Sequence, residues 1–92
     1  MKSGNPWDYK FEPGAQRDLL KIGPSGAAKI KAFLDKRIKG TADPRAFGKP
    51  LRGALKGLWR YRVEDFRILC RLEDARVIVV IIAVGHRSNV YD

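Results

Sequence analysis

The chain has a single cysteine, Cys70, and a single histidine, His86, among 92 residues. One cysteine excludes an intrachain disulfide. Its neighbours alternate in a strand pattern, so Cys70 reads as a small core residue. With one His, one Cys and carboxylates that occur singly or in adjacent pairs, no metal-ligand cluster is present. A glycine-rich phosphate loop is also lacking, and no Ser-His-Asp or Cys-His set stands out. The longest apolar run, residues 77–84, has eight residues, whereas a membrane-spanning helix needs about 20. The opening MKSGNPWDYKF contains no apolar signal core. A cytoplasmic protein with no membrane partner is therefore expected. Acidic side chains are scarce, 10 against 19 Lys and Arg, for a net charge of +9. So strong a positive charge on a small body favours a polyanion: nucleic acid, a membrane surface or an acidic protein. If the chain is an enzyme, its chemistry is expected from Arg, Tyr, His and Lys, without a cofactor or a metal.

Apolar residues make up 45% of the chain, enough for one modest core and a single domain over residues 1–92. Residues 7–12 alternate aromatic and polar side chains, which predicts a short strand ended by Pro13-Gly14. Ala15, Leu19 and Ile22 then recur at helical spacing, and Gly23-Pro24 stops that helix. Ser25 is a candidate N-cap for a second helix with the stripe Ala27, Ile30, Phe33, Leu34 and Ile38, with Gly40 just past its end. The stretch GTADPRAFGKP, residues 40–50, is turn-rich and reads as irregular.

After residue 50 the period changes to two. Strands are predicted at 58–63, 66–72 and 77–84, joined by turns at Glu64-Asp65 and Asp74-Ala75. The third is apolar at every position, as in a strand covered on both faces. The expected architecture is α+β, in the order β-α-α-β-β-β. It is a small antiparallel sheet with an N-terminal helical hairpin packed on one face.

A two-residue turn at Glu64-Asp65 sets a register: Val63 faces Phe66, Arg62 faces Arg67, Tyr61 faces Ile68, Arg60 faces Leu69. Trp59, Tyr61, Val63, Phe66, Ile68 and Cys70 then share one apolar face, and Arg60, Arg62, Arg67 and Arg71 the other. A solvated charged face is one reading of the arginines. Directly opposed like charges destabilise a strand pair, so Arg62 against Arg67 also fits a phosphate held by planar forks of donors. The last strand is expected beside the second. It would bring the tail VGHRSNVYD, with His86, Arg87 and Tyr91, to the same hairpin.

The runs PLRGALKGLWRYRV, DFRILCRLED and VIVVIIAVGHRSNVY, in that order, resemble the RelE-type toxins of bacterial toxin–antitoxin systems, in the RelE/ParE superfamily. The resemblance covers nearly the whole chain in element order and is most specific over residues 51–91. It implies a compact α+β fold and endonucleolytic cleavage of mRNA in the ribosomal A site, which stops translation. It implies an acidic, RelB-like cognate antitoxin that masks the toxin, with operator DNA bound only through that complex. The implied catalytic positions are Arg60, Arg62, Arg67, Arg87 and Tyr91. The best-known RelE has lysines at the positions of Arg60 and Arg62. Arginine does not act as a base, since it stays protonated in proteins, so here these two are assigned to phosphate binding. His86 stands where that protein has a lysine and inherits no role.

For such an RNase the 2′-hydroxyl attacks the adjacent phosphate and the 5′-oxygen leaves. Arg60, Arg62 and Arg67 are expected to stabilise the phosphate charge, and Arg87 to serve the leaving oxygen. Tyr91 is the candidate base or a stacking group, its phenol made more acidic by neighbouring cations. Lys29, Lys31, Lys36, Arg37 and Lys39, with Arg71, are candidate RNA contacts, or else a solvated face. The ParE branch, which poisons DNA gyrase, is the alternative on the same fold. Two further rivals are a non-catalytic nucleic-acid-binding module and a domain that docks an acidic protein.

Overall fold

A computed structural model describes residues 6–86. The first strand, β1 (Asp8–Phe11), leads into a long helical segment, α1 (Pro13–Phe33). Pro13 opens it, where the missing N–H is an orphan anyway. Gly23, with φ 91 and ψ 166, breaks the helix into two arms, and Pro24 restarts it. Ser25 therefore lies inside the second arm rather than capping it. A backbone with positive φ followed by a fixed proline φ already makes the turn. The second arm runs into a π-helical turn, Leu34–Ile38, closed by the Lys39 amide donating to the Leu34 carbonyl at 2.8 Å. Gly40 follows with φ 84. The expected helical hairpin is thus present.

Four further strands follow: β2 (Lys49–Pro50), β3 (Trp59–Val63), β4 (Phe66–Glu73) and β5 (Ile78–His86). The sheet order is β1-β5-β4-β3-β2. The expected sheet was antiparallel throughout, but β1 pairs parallel with β5, so the sheet is mixed. Tight turns force β3–β4 and β4–β5 to be antiparallel, whereas β1 reaches β5 only after some 66 residues of chain, free of that constraint. β2 is a short edge strand within the stretch expected to be irregular, pairing Lys49 with Arg60 and Pro50 with Trp59. β5 starts at Ile78 because Val77 takes the left-handed conformation, φ 56, and closes the preceding turn.

The hairpin register is the expected one at every pair from Trp59↔Cys70 to Val63↔Phe66. Between β4 and β5 the register slips at Leu69/Cys70: Leu69 faces Ala83 and Cys70 faces Ile81, so Ile82 is an extra residue on β5. The bulge lets both Ile81 and Val84 reach the main core, where Leu19, Ile30, Leu34, Tyr61 and Ile68 also meet. Cys70 joins them, fully buried, and burial pushes its thiol up to about 12. Val80 and Leu69 are buried outside that cluster. β5 is thus covered on both faces, as its unbroken apolar run suggested.

Candidate functional site

Alternation along β3 and β4 separates the two faces of the hairpin. Tyr61, Ile68 and Cys70 go into the core. Arg60, Arg62 and Arg67 take the other face, with Arg62 directly opposite Arg67. Arg62 is exposed, Arg60 half-buried, and Arg67 only 5% exposed. A nearly buried guanidinium on the central strand, one pair from the hairpin turn, is unusual for a solvated surface. At the hairpin turn, the Glu64 carboxylate accepts from Lys29 Nζ at 3.0 Å. That ion pair ties the second arm of α1 to the hairpin turn. Asp18 ties the first arm to β5, its carboxylate accepting from the Val84 amide at 2.9 Å.

β5 ends beside the same turn. Gly85 faces Arg67 and His86 faces Phe66. Gly85 places no side chain in the position facing Arg67 on β5. His86 shares the face of Phe66, with the rings edge-on at 5.8 Å. It therefore stands away from the arginine face, and its contact there is a packing one. Arg87 and Tyr91 lie outside the described residues.

The basic residues of the helical region divide between two places. Lys29, Lys36 and Arg37 line a hollow of about 310 Å³ with Phe33, Val63 and Glu64, at the hairpin end. Lys31 instead borders an apolar trough of about 500 Å³ formed by Phe11, Leu19, Leu20, Gly23, Pro24 and Ala27. Lys39 caps the π-helical turn and is exposed. Arg71 is not gathered with the other arginines. It donates to Glu73 at 3.0 Å and to Glu12 at 3.4 Å, an ion-pair bridge from β4 to the start of α1. These carboxylates hold its guanidinium firmly charged.

Composition did not single out the 44–52 region, yet it completes the arginine face. Ala46, Phe47, Gly48 and Lys49 line a hollow of about 270 Å³ with Arg60 and Arg62. Lys49, Pro50, Leu51 and Arg52 line an adjoining one of about 360 Å³ with Arg60. The only signal in the sequence was the basic pair Lys49 and Arg52 around PL, which carries no register until β2 pairs with β3. Together these groups make a cationic surface suited to successive phosphates of a single strand. Among the described residues, no three His, Cys, Asp or Glu side chains are grouped to hold a metal ion. No described helix is long and apolar enough to cross a membrane.

Residues 9–91 match the family model described as the ParE toxin of the type II toxin–antitoxin system parDE. The chain is similar to toxin RelG of Mycobacterium tuberculosis, 35% identical over 86 residues, covering 94% of this chain and 97% of RelG. Toxin RelE of the same organism is 31% identical over 91 residues, covering 99% of this chain and 92% of that toxin. The crystal structure of the toxin–antitoxin complex RelBE2 from Mycobacterium tuberculosis contains a chain 32% identical, with a TM-score of 0.82, covering 97% of this chain and all of that one. A β-α-β-β-β-β chain with a basic hairpin face, matched over nearly its full length in this way, belongs to the ParE toxin family of type II toxin–antitoxin systems, within the RelE/ParE superfamily.

Proposed function

We propose that this toxin is a ribosome-dependent, metal-independent mRNA endoribonuclease that cuts A-site codons and so inhibits translation. The observation that carries the reading is Arg62 directly opposite Arg67, with Arg60 two residues along on the same face. Directly opposed like charges are unfavourable on a strand pair, and an anion received there lowers that cost. A phosphate is the anion that guanidinium forks fit. In the proposed reaction the 2′-oxygen bonds to phosphorus, the bond to the 5′-oxygen breaks, and the 2′-proton is taken up as the leaving oxygen gains one. Arg60, Arg62 and Arg67 stabilise charge on the non-bridging oxygens, a preorganised electrostatic role. Arg87 serves the leaving oxygen, and Tyr91 is the base or stacks on a nucleotide.

Lys29, Lys36 and Arg37 extend the positive surface toward ribosomal RNA, with Lys31 and Lys39 at its margin. Arg71 contributes chiefly to the fold. A cognate acidic, RelB-like antitoxin would cover the toxin and carry it to operator DNA in the cytoplasm. The apolar trough beside Leu20, a residue 82% exposed, offers that partner a hydrophobic seat.

The description of the matching family favours one other reading, inhibition of DNA gyrase as in the ParE branch. In that case the arginine face binds protein and cuts nothing. Primer extension on mRNA from translating ribosomes separates the two. Wild-type protein is expected to cut within A-site codons, and the cuts should vanish without ribosomes and in an Arg87→Ala, Tyr91→Ala variant. Intact mRNA with growth still arrested would refute the nuclease and leave the gyrase reading.

A further inference from the structure

Phe47 stands out among the described residues. It is one of two large hydrophobics left exposed, 38% accessible, and it sits among cations. The guanidinium carbon of Arg37 lies 6.0 Å from its ring centroid. Lys49, Arg60 and Arg62 share its hollow. A lone exposed phenylalanine needs no explanation, but this one is carried on a turn that the fold holds firmly. Asp43 caps the short 3-10 helix Pro44–Phe47 by accepting from the Arg45 amide at 3.1 Å. The Tyr61 hydroxyl, wholly buried, donates to the Pro44 carbonyl at 2.8 Å. Both terminal nitrogens of Arg45 donate to Asp74 at 2.9 Å, and the same guanidinium lies 5.8 Å from the Trp59 ring. Gly48 approaches β3 so closely that a Cβ there would fall 2.6 Å from Trp59 Nε1. Each contact fixes the backbone next to Phe47, and none of them buries its ring.

We infer that the 44–49 turn is a preformed stacking platform, on which Phe47, backed by Arg37, receives one base of single-stranded RNA while Lys49, Arg60 and Arg62 hold the adjoining phosphates. An aromatic ring interleaved with cations is what an unpaired strand requires: a π-face for the base and positive charge for the backbone. Arg37 adds a cation to the ring and adds charge beyond it. A pinned backbone reduces the ordering entropy that binding must overcome. Because every base has a π-face, the platform positions the strand without choosing its sequence. The identity of the ligand rests on the nuclease reading, so the test separates the two.

Phe47→Ala, Phe47→Leu and Phe47→Trp variants are compared with wild type in ribosome-bound cleavage. Their melting temperatures and antitoxin binding are measured alongside as a check on folding. Alanine and leucine should lower the cleavage rate by about 5- to 150-fold, evenly across codons, and tryptophan should hold it within about twofold. A Phe47→Leu toxin that cuts as fast as wild type would overturn the platform and leave the nuclease reading standing. If wild type cuts nothing, the nuclease reading fails by itself. The platform is then read from an RNA hexamer carrying 2-aminopurine. Fluorescence quenched by wild type and not by Phe47→Leu supports stacking, and no quenching refutes it.

Discussion

Replacing Gly48 by alanine adds one methyl group where the structure has no room for it. Its Cβ would meet the Arg60 carbonyl oxygen, with Trp59 Nε1 at 2.6 Å and Trp59 Cδ1 at 2.8 Å. One of those neighbours is backbone and the other is an indole held between Gly48 and Arg45, so neither can yield cheaply. Conformation is not the obstacle, because Gly48 has φ −148, an extended value open to any residue. The strain must instead open the two-residue β2–β3 pairing, Lys49↔Arg60 and Pro50↔Trp59. Forcing extra volume into a packed site costs about 1–3 kcal/mol. In a domain of this size each kcal/mol lowers Tm by about 4–8 °C, so Gly48→Ala should melt about 4–24 °C below wild type. Gly14→Ala is the matched control. The nearest atoms to its Cβ, the Ile82 carbonyl oxygen and Arg17, are at 3.8 and 3.9 Å, an ordinary contact, and alanine is the better helix former. Thermal melts of the three proteins by circular dichroism decide the matter. A Gly48→Ala protein that melts with wild type would refute the close approach of the 44–49 turn to β3. The pinned platform would lose one of its supports.

Tyr61→Phe keeps the ring and removes the bond to the buried Pro44 carbonyl. An unsatisfied buried acceptor costs about 1–3 kcal/mol, so a clear fall in the denaturant midpoint with an unchanged slope is expected, and no fall would mean that water replaces the hydroxyl. Acid should also find the Arg45–Asp74 clamp. Hydrogen bonding from Arg45 holds the Asp74 carboxyl below its ordinary range, and bonding from Arg71 does the same for Glu73. For a depressed carboxylate the stabilisation is fully present above the unfolded value and is lost as pH falls through the lower folded one. Melting curves of wild type and Asp74→Asn should therefore converge as pH drops below about 4, and a gap independent of pH would show that the clamp contributes nothing through charge.

The arginine face of the candidate site is legible in the sequence. A period of two placed Arg60, Arg62 and Arg67 on one face, and a two-residue turn at Glu64-Asp65 put Arg62 across from Arg67. Both are local facts: side-chain alternation and turn length act over a few residues, so the chain itself carries them. The helical hairpin was equally local, set by Gly23, Pro24 and the apolar stripe. Arg71 shows where this ends. Alternation put it with the other arginines, but Glu12, 59 residues earlier in the chain, takes up its guanidinium. The parallel pairing of β1, the bulge at Ile82 and the docking of the 44–49 turn beside Arg60 and Arg62 were likewise decided only in the folded molecule. The first joins segments far apart in sequence, and the other two depend on how neighbouring segments pack against each other; neither kind of contact leaves a period or turn signal in the chain. Which residues alternate, where the chain turns and how much positive charge it carries are local properties that the chain holds before it folds. Which strands lie side by side and what stands next to the arginines are set in the folded molecule, because those outcomes depend on how surfaces fit.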